Sequence, residues 1–325
     1  MLHFNPDEKP TVEVHKLLLG GIAPRPIALV STISGDGTVN LSPFSFFNAF
    51  GANPPTVAFS PSTRVRDGSR KDTYHNLVAT RECVIQAVPY DMVEQVSLAS
   101  TEYDSDVDEF VKSGLMAIAS DTVKPPRVAD SPFQMECKLS QMVPLGDGPG
   151  AGNLAICEVV RFHIDEGIFN PDGVIEPDLI DLVGRNSANY YTRASGRAIF
   201  EVEKPIGKKG IGYDRLPDFV KTSDLLTANN LAQLANCEVI PDEAQVQAFA
   251  NAQPSVEASE PAFLRSYRLG SHERMLPVVM ALANEGQPRS GAWLQMTAKV
   301  ALDNKQPDFA WKLLLWGQAR GLLSS

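Results

Sequence analysis

The chain has 325 residues, 43% hydrophobic and 21% charged, with 39 Asp and Glu against 29 Lys and Arg and a formal charge of −10. That composition reads as a globular protein long enough for one large domain or two ordinary ones. The acidic balance argues against a nucleic-acid partner, because a polyanion needs a concentrated cationic face and the chain as a whole would repel it.

The start M-L-H-F-N-P-D-E-K-P has no basic stretch followed by an apolar core, and no segment approaches 18 consecutive apolar residues, so no membrane span is expected and the chain is assigned to the cytoplasm. Residues 26–33 form an apolar, β-branched run, Gly35-Asp36-Gly37 is a turn, and residues 38–42 alternate. Next comes N-L-S-P-F-S-F-F-N-A-F-G-A-N-P-P, hydroxyls and amides threaded between four phenylalanines, then a strand at 56–60 and a cationic cluster ending at Lys71. An apolar wall with a few placed polar groups suits a flat heteroaromatic ring, and a cationic loop running into a helix start suits a phosphate. Together they point to a phosphorylated aromatic cofactor, with FMN the first candidate.

Asp72 is placed to cap a helix through residues 77–79 and Asp91 to cap another carrying Met92, Val93, Val96 and Ala99, with a strand at 82–88 between them. The acidic piece 102–110 reads as a solvated loop and helix start. Strands at 135–143 and 154–164 flank G-D-G-P-G-A-G at 146–152, which lacks G-K-[ST] and a following helix and so reads as a hairpin tip rather than a phosphate loop. Cys83, Cys137, Cys157 and Cys237 lie in or beside apolar runs without metal spacing, as buried reduced thiols do. After about Lys204 the alternation gives way to helical spacing over 218–237, 242–252, 261–286 and 292–323. Two domains follow: residues 1–204, an antiparallel barrel with added helices, and residues 209–325, a small all-helical module.

Several motifs in order carry a family resemblance: G-G-I-A-P-R-P-I-A-L-V-S-T at 20–32, N-L-S-P-F-S-F-F-N at 40–48, N-P-P at 53–55, R-K-D-T at 70–73, E-C-x-L at 136–139, V-G-R at 183–185 and Y-Y-T-R at 190–193. Residues 12–203 resemble the flavin reductase-like family, of the flavin reductase and nitrilotriacetate monooxygenase component B type. The resemblance implies a mainly β fold, a six-stranded antiparallel Greek-key FMN-binding split barrel. It also implies a homodimer, NADH or NADPH as reductant, and a partner monooxygenase or other electron acceptor. It says nothing of residues 205–325.

Carried over residue by residue, Ser42, Pro43, Phe44, Ser45, Phe46 and Asn48 match the segment that lines the isoalloxazine. Ser60, Ser62, Thr63 and Arg64 fall where ribityl and phosphate are expected, and Arg70, Lys71, Asp72 and Thr73 complete the phosphate site. No catalytic residue is certain; His163, Arg185 and Arg25 are the candidates on the substrate side. Where relatives show a glycine-rich stretch after V-G-R, this chain has Asn186, Ser187, Ala188 and Asn189. No metal site is expected. An FMN-dependent NAD(P)H oxidoreductase is the first reading, and a non-catalytic FMN-binding sensor or assembly module, its helical tail binding a protein, is the alternative.

Overall fold

The computed structural model describes residues 1–323, which divide into two compact units, Met1–Glu201 and the chain from Val202 onward. The strands of the first unit are β1 Ala28–Ile33, β2 Val39–Phe44, β3 Phe47–Ala52, β4 Pro55–Phe59, β5 Glu82–Gln86, β6 Ala117–Ile118, β7 Arg127–Val128, β8 Phe133–Pro144, β9 Asn153–Ile164, β10 Val183–Arg185 and β11 Tyr191–Arg193. Its helices are α1 Thr11–Gly21, α2 Asp72–Thr80, α3 Val93–Leu98, α4 Glu109–Ser113 and α5 Pro177–Ile180.

One antiparallel sheet has the order β2-β1-β5-β8-β9-β4-β3. A six-stranded split barrel is the sequence expectation; the sheet has seven strands, and among the described residues no ladder joins β2 to β3. The seventh arises because residues 39–52 are two strands interrupted at Ser45 and Phe46, and these two strands end on opposite edges of the sheet. In a flat sheet six gaps of about 4.8 Å would set the edges roughly 29 Å apart. Three Cα–Cα steps from Phe44 to Phe47 span at most about 11 Å. The sheet must therefore curl until its edges nearly meet, which makes a barrel split along one seam. Bulges in the long β8–β9 hairpin, between Glu136 and Cys137 and between Leu139 and Gln141, add the local twist that such curling needs.

Inside the curl Val30, Phe44, Phe59, Leu77, Ile85, Cys83, Cys137 and Cys157 form one apolar cluster. Leu29 and Leu41 point the other way into a second cluster with Met92, Val96 and Phe110. Both faces of β1 are thus buried, which explains its unbroken apolar run.

Helix starts depart from expectation in three places. Lys71, not Asp72, is the N-cap of α2, and Asp72 is its first residue. Asp91 sits in a 3-10 turn, Tyr90–Met92, ahead of α3. Helix α1 is absent from the sequence reading, although Pro10 before it and Gly20-Gly21 at its end are the usual boundary signals. It buries none of its residues, so it shows only a weak amphipathic pattern.

The second unit is helical: α6 Asp218–Lys221, α7 Ala228–Ala235, α8 Glu243–Asn251, α9 Glu260–Arg268, α10 His272–Asn284, α11 Ser290–Asp303 and α12 Pro307–Ala319. Residues 261–286, read as one helical stretch, are two helices because Gly270 turns the chain at φ +64°. The unit has its own core around Phe263, Met275, Leu294 and Trp311, and the Trp311 indole donates to the Leu234 carbonyl at 3.1 Å. A Cβ at Gly317 would stand 2.6 Å from Leu294 Cδ1, so glycine sets the close approach of α12 to α11. No described helix of either unit is long and apolar enough to cross a membrane.

Candidate functional site

The seam of the sheet, between β2 and β3, holds Ser45 and Phe46. β2 is an edge strand whose Leu41 N–H turns away from β1 to donate to Glu109 Oε2 at 2.9 Å. Alternation along an antiparallel ladder then turns Pro43 the same way, so its missing N–H costs no ladder bond and its carbonyl faces off the edge. Phe44 points into the core against Phe59, 5.3 Å between centroids, while Phe46 meets the His15 ring edge-on at 6.2 Å. Asn48 is exposed and its side chain accepts the N–H of Ala49 at 2.8 Å.

Ser60 N–H donates to the Phe46 carbonyl at 2.9 Å, which ties the seam directly to the cationic end. There the Ser60 and Ser62 hydroxyls lie 3.0 Å apart. Thr63 Oγ1 donates to the Gly148 carbonyl at 2.7 Å and its N–H to Ala151, so the 146–152 hairpin tip folds down onto this loop. Arg64 Nη1 holds the loop through Ser69 Oγ and the Arg70 carbonyl, and its Nε lies 3.6 Å from Glu102. Arg70 is exposed over the Tyr74 ring, at 4.3 Å.

Lys71 is half-buried, its Nζ 5.1 Å above the Phe44 ring, and among the described residues no carboxylate lies within 4 Å of it. Burial first, then the neighbouring Arg64 charge, lower its pKa. The N–H groups of Asp72 and Thr73 at the start of α2 have no partner among the described residues. This corner of the molecule gathers positive charge and two unpartnered N–H groups, and its acid Glu102 is paired with Arg64 and Arg66 rather than with Lys71.

Thr73 lies elsewhere than its sequence position suggests. Its hydroxyl is buried and donates to Asn40 Oδ1 at 2.8 Å. Asn40 Nδ2 donates to Glu109 Oε1 at 2.8 Å. Glu109, read as part of a solvated acidic piece, is buried, and desolvation raises its pKa against the bonds from Leu41 and Asn40 that lower it. The network binds β2 to the starts of α2 and α4; sequence reasoning missed it because its members lie tens of residues apart.

Arg25 is buried. Its guanidinium donates to the carbonyls of Leu19 and Ile22, both at 2.6 Å, to the Asn186 carbonyl at 3.0 Å and to Ser45 Oγ at 3.3 Å. It clasps the end of α1 and the β10–β11 hairpin to the seam. A cleft of about 590 Å³ opens beside Pro43 and Ser45 and is lined also by Tyr90, Glu94, Arg185, Tyr191 and Arg193. A larger, mostly apolar cleft of about 930 Å³ takes in Phe47, Asn48, Phe133, Val159 and Phe162.

His163 turns to the other face of β9 from its neighbour Phe162 and bonds the fully buried Glu136 at 2.6 Å. Neither cleft includes it. Glu136 also accepts the N–H groups of Asp121, Thr122 and Val123 and the Thr122 hydroxyl. Burial alone would raise its pKa, but these bonds outweigh burial and hold it down at about 2. Asp121, Glu136 and His163 stand close enough to share an ion, yet Glu136 spends its oxygens on protein donors and Asp121 pairs with Arg161 at 2.8 Å.

A curled antiparallel sheet split at a polar seam, with a cationic corner beside it, defines the class. The chain belongs to the flavin reductase-like family, whose sequence profile, described as flavin reductase like domain, matches residues 20–186. Over 189 residues it is 34% identical to an uncharacterized protein of Aquifex aeolicus, covering 58% of this chain and 94% of that one. Over 206 residues it is 34% identical to an uncharacterized protein of Halalkalibacterium halodurans, covering 63% and 97%. Among solved structures it is similar to nitrilotriacetate monooxygenase component B from Bacillus cereus, with 31% identity, a TM-score of 0.58, and 62% of this chain and 98% of that one covered. It is also similar to 2-nitrobenzoate 2-nitroreductase from Pseudomonas fluorescens, with 25% identity, a TM-score of 0.55, and 64% and 100% covered.

Proposed function

We propose that residues 1–204 form an FMN-binding domain and that the protein is an NAD(P)H-dependent flavin reductase or oxidoreductase. The observation that carries this reading is Lys71, a half-buried ammonium with no carboxylate within 4 Å among the described residues, beside two free N–H groups at a helix start. A buried charge without a counter-ion is costly, and a phosphate monoester relieves that cost while accepting from the helix N–H groups. Membership of the flavin reductase-like family supports a flavin as the group that carries the phosphate.

The residues fit FMN. Lys71, the Asp72 and Thr73 N–H groups, and the Ser60 and Ser62 hydroxyls would hold the phosphate and ribityl end, with Arg64 and Arg70 adding charge. Ser42, Pro43, Ser45, Phe46 and Asn48 would line the ring, while Phe44 supports it from the core. The Thr63 and Thr73 side chains act on the protein, the first by docking the hairpin tip and the second by docking α2. The bound flavin supplies a two-electron acceptor for hydride. The chain's own part is to fix Ser45 through Arg25, to neutralise the phosphate at Lys71, and to leave the 590 Å³ cleft open to a reductant.

The mostly apolar 930 Å³ cleft, with exposed Phe50 and Phe162 nearby in the same unit, supports a homodimer. The free thiols Cys83, Cys137, Cys157 and Cys237 support a reducing, cytoplasmic location. A partner monooxygenase or another electron acceptor would then take the reducing equivalents.

The visible spectrum of the purified protein, taken with FMN before and after anaerobic NADH or NADPH, tests the reading. A bound flavin band that bleaches on addition of nicotinamide is expected. No bound flavin and no FMN affinity would overturn it. Bound FMN that neither nucleotide reduces would transfer the protein to the sensor or assembly reading, which the separate core of the second unit favours.

A further inference from the structure

We propose that Arg185 anchors the pyrophosphate of a nicotinamide dinucleotide in the cleft beside Ser45. The inference rests on the reading that the seam holds a flavin ring, and it assigns the next group along.

Arg185 is held in place by its backbone. Its N–H and carbonyl exchange bonds of 2.8 and 2.9 Å with Arg25, and the preceding Gly184 packs so closely that a Cβ there would stand 2.8 Å from Pro24 Cβ. The Tyr191 ring covers one face of the guanidinium at 4.5 Å. Among the described residues its side chain donates no hydrogen bond and meets no carboxylate within 4 Å. Arg193 lines the same cleft and is the opposite case: it grips Asp181 with bonds of 2.7 and 2.6 Å and stacks over Tyr90 at 4.0 Å. Arg185 is therefore the unspent cation of the cleft. Glu94, the cleft's one carboxylate, forms no ion pair with it.

Arg25 and Arg185 repel one another, and among the described residues no carboxylate lies within 4 Å of either. Burial first, and then Arg185, lower the Arg25 pKa. An anion seated at Arg185 removes that repulsion, and a fixed guanidinium fork with one face stacked on an aromatic ring matches paired phosphoryl oxygens. The anion is distinct from the flavin phosphate, because none of residues 60–73 lines this cleft. Its volume lies within the ordinary range for small-molecule sites, and Tyr90 and Tyr191 offer planar surfaces.

The test compares Arg185→Ala and Arg185→Lys with the unaltered protein, using NADH and N-benzyl-1,4-dihydronicotinamide, a hydride donor without phosphates. NADH affinity, read by nicotinamide fluorescence on flavin-free protein, is expected to fall about tenfold or more in Arg185→Ala and less in Arg185→Lys. KM for NADH should rise in step, and the uncharged donor should lose far less. Equal losses for the two donors, or unchanged NADH affinity, would overturn the assignment. So would a loss of FMN affinity with riboflavin binding intact, which would place the flavin phosphate at Arg185. Absence of any FMN binding would sink the flavin reading by itself, while the flavin-free NADH titration would still decide Arg185.

Discussion

Lys71 and Thr73 are two residues apart and have opposite fates. The motif R-K-D-T presents both as phosphate ligands, but α2 turns the Thr73 hydroxyl inward to Asn40 and leaves Lys71 facing Phe44. Residue type was legible in the sequence; which way a side chain leaves the first helical turn was not, because it is decided by Asn40, 33 residues before Thr73, and by Glu109, 69 residues beyond Asn40. Lys71→Ala should weaken FMN binding by about 1.5–3 kcal/mol, the scale of a charge-assisted hydrogen bond, and leave riboflavin binding nearly unchanged. Parallel titration of the two flavins checks it, and equal losses would reject the phosphate role. Arg25 shows a second limit of sequence: its place between two prolines is plain, but its three carbonyl partners and Ser45 are contacts made only in the fold.

Among elements, the β8–β9 hairpin does more than supply strands. Through Glu136 it clasps the loop at 121–123, and that clasp is sensitive to acid. The Glu136 carboxyl goes from a reference pKa of 4.5 to about 2 in the fold. A depressed carboxyl contributes stability that is present above its unfolded pKa and is lost as pH falls through the folded one. The contribution is about 3 kcal/mol, present above pH 4.5 and lost towards pH 2. Urea unfolding of the unaltered protein and Glu136→Gln across this range measures it: the gap between them should narrow as pH falls, and a constant gap would refute the linkage. The strands themselves were largely legible from alternation and turn residues. The division of residues 39–52 was not, because a break of two residues in an apolar run leaves no periodic trace, and α1 was not, because it buries none of its side chains.

In the whole molecule the chain passes from one compact unit to the other at Glu201 and Val202. The family match stops at residue 186, and relatives covered over 94–100% of their own length account for less than two thirds of this chain. Chains of that length therefore stand without the second unit. A protein ending at Glu201 should fold cooperatively and bind FMN within about threefold of the full chain, a difference well under 1 kcal/mol. Loss of binding, or an insoluble product, would show that the helical unit completes the first. The helices of that unit were readable from their spacing, but its role was not, because a well-packed core reports burial and carries no record of what the surface meets.

The jump from one sheet edge to the other at Ser45 and Phe46 has a consequence for variation. It is a splice of fixed length. One residue added or removed there would shift β3 by one position against β4 and exchange every inward side chain for its outward neighbour, so that Asn48 would face the core in place of Phe47. Substitutions within the splice leave the register of β3 intact, whereas a change in its length dismantles the edge. The fold therefore constrains the number of residues at this point through the register of β3 against β4.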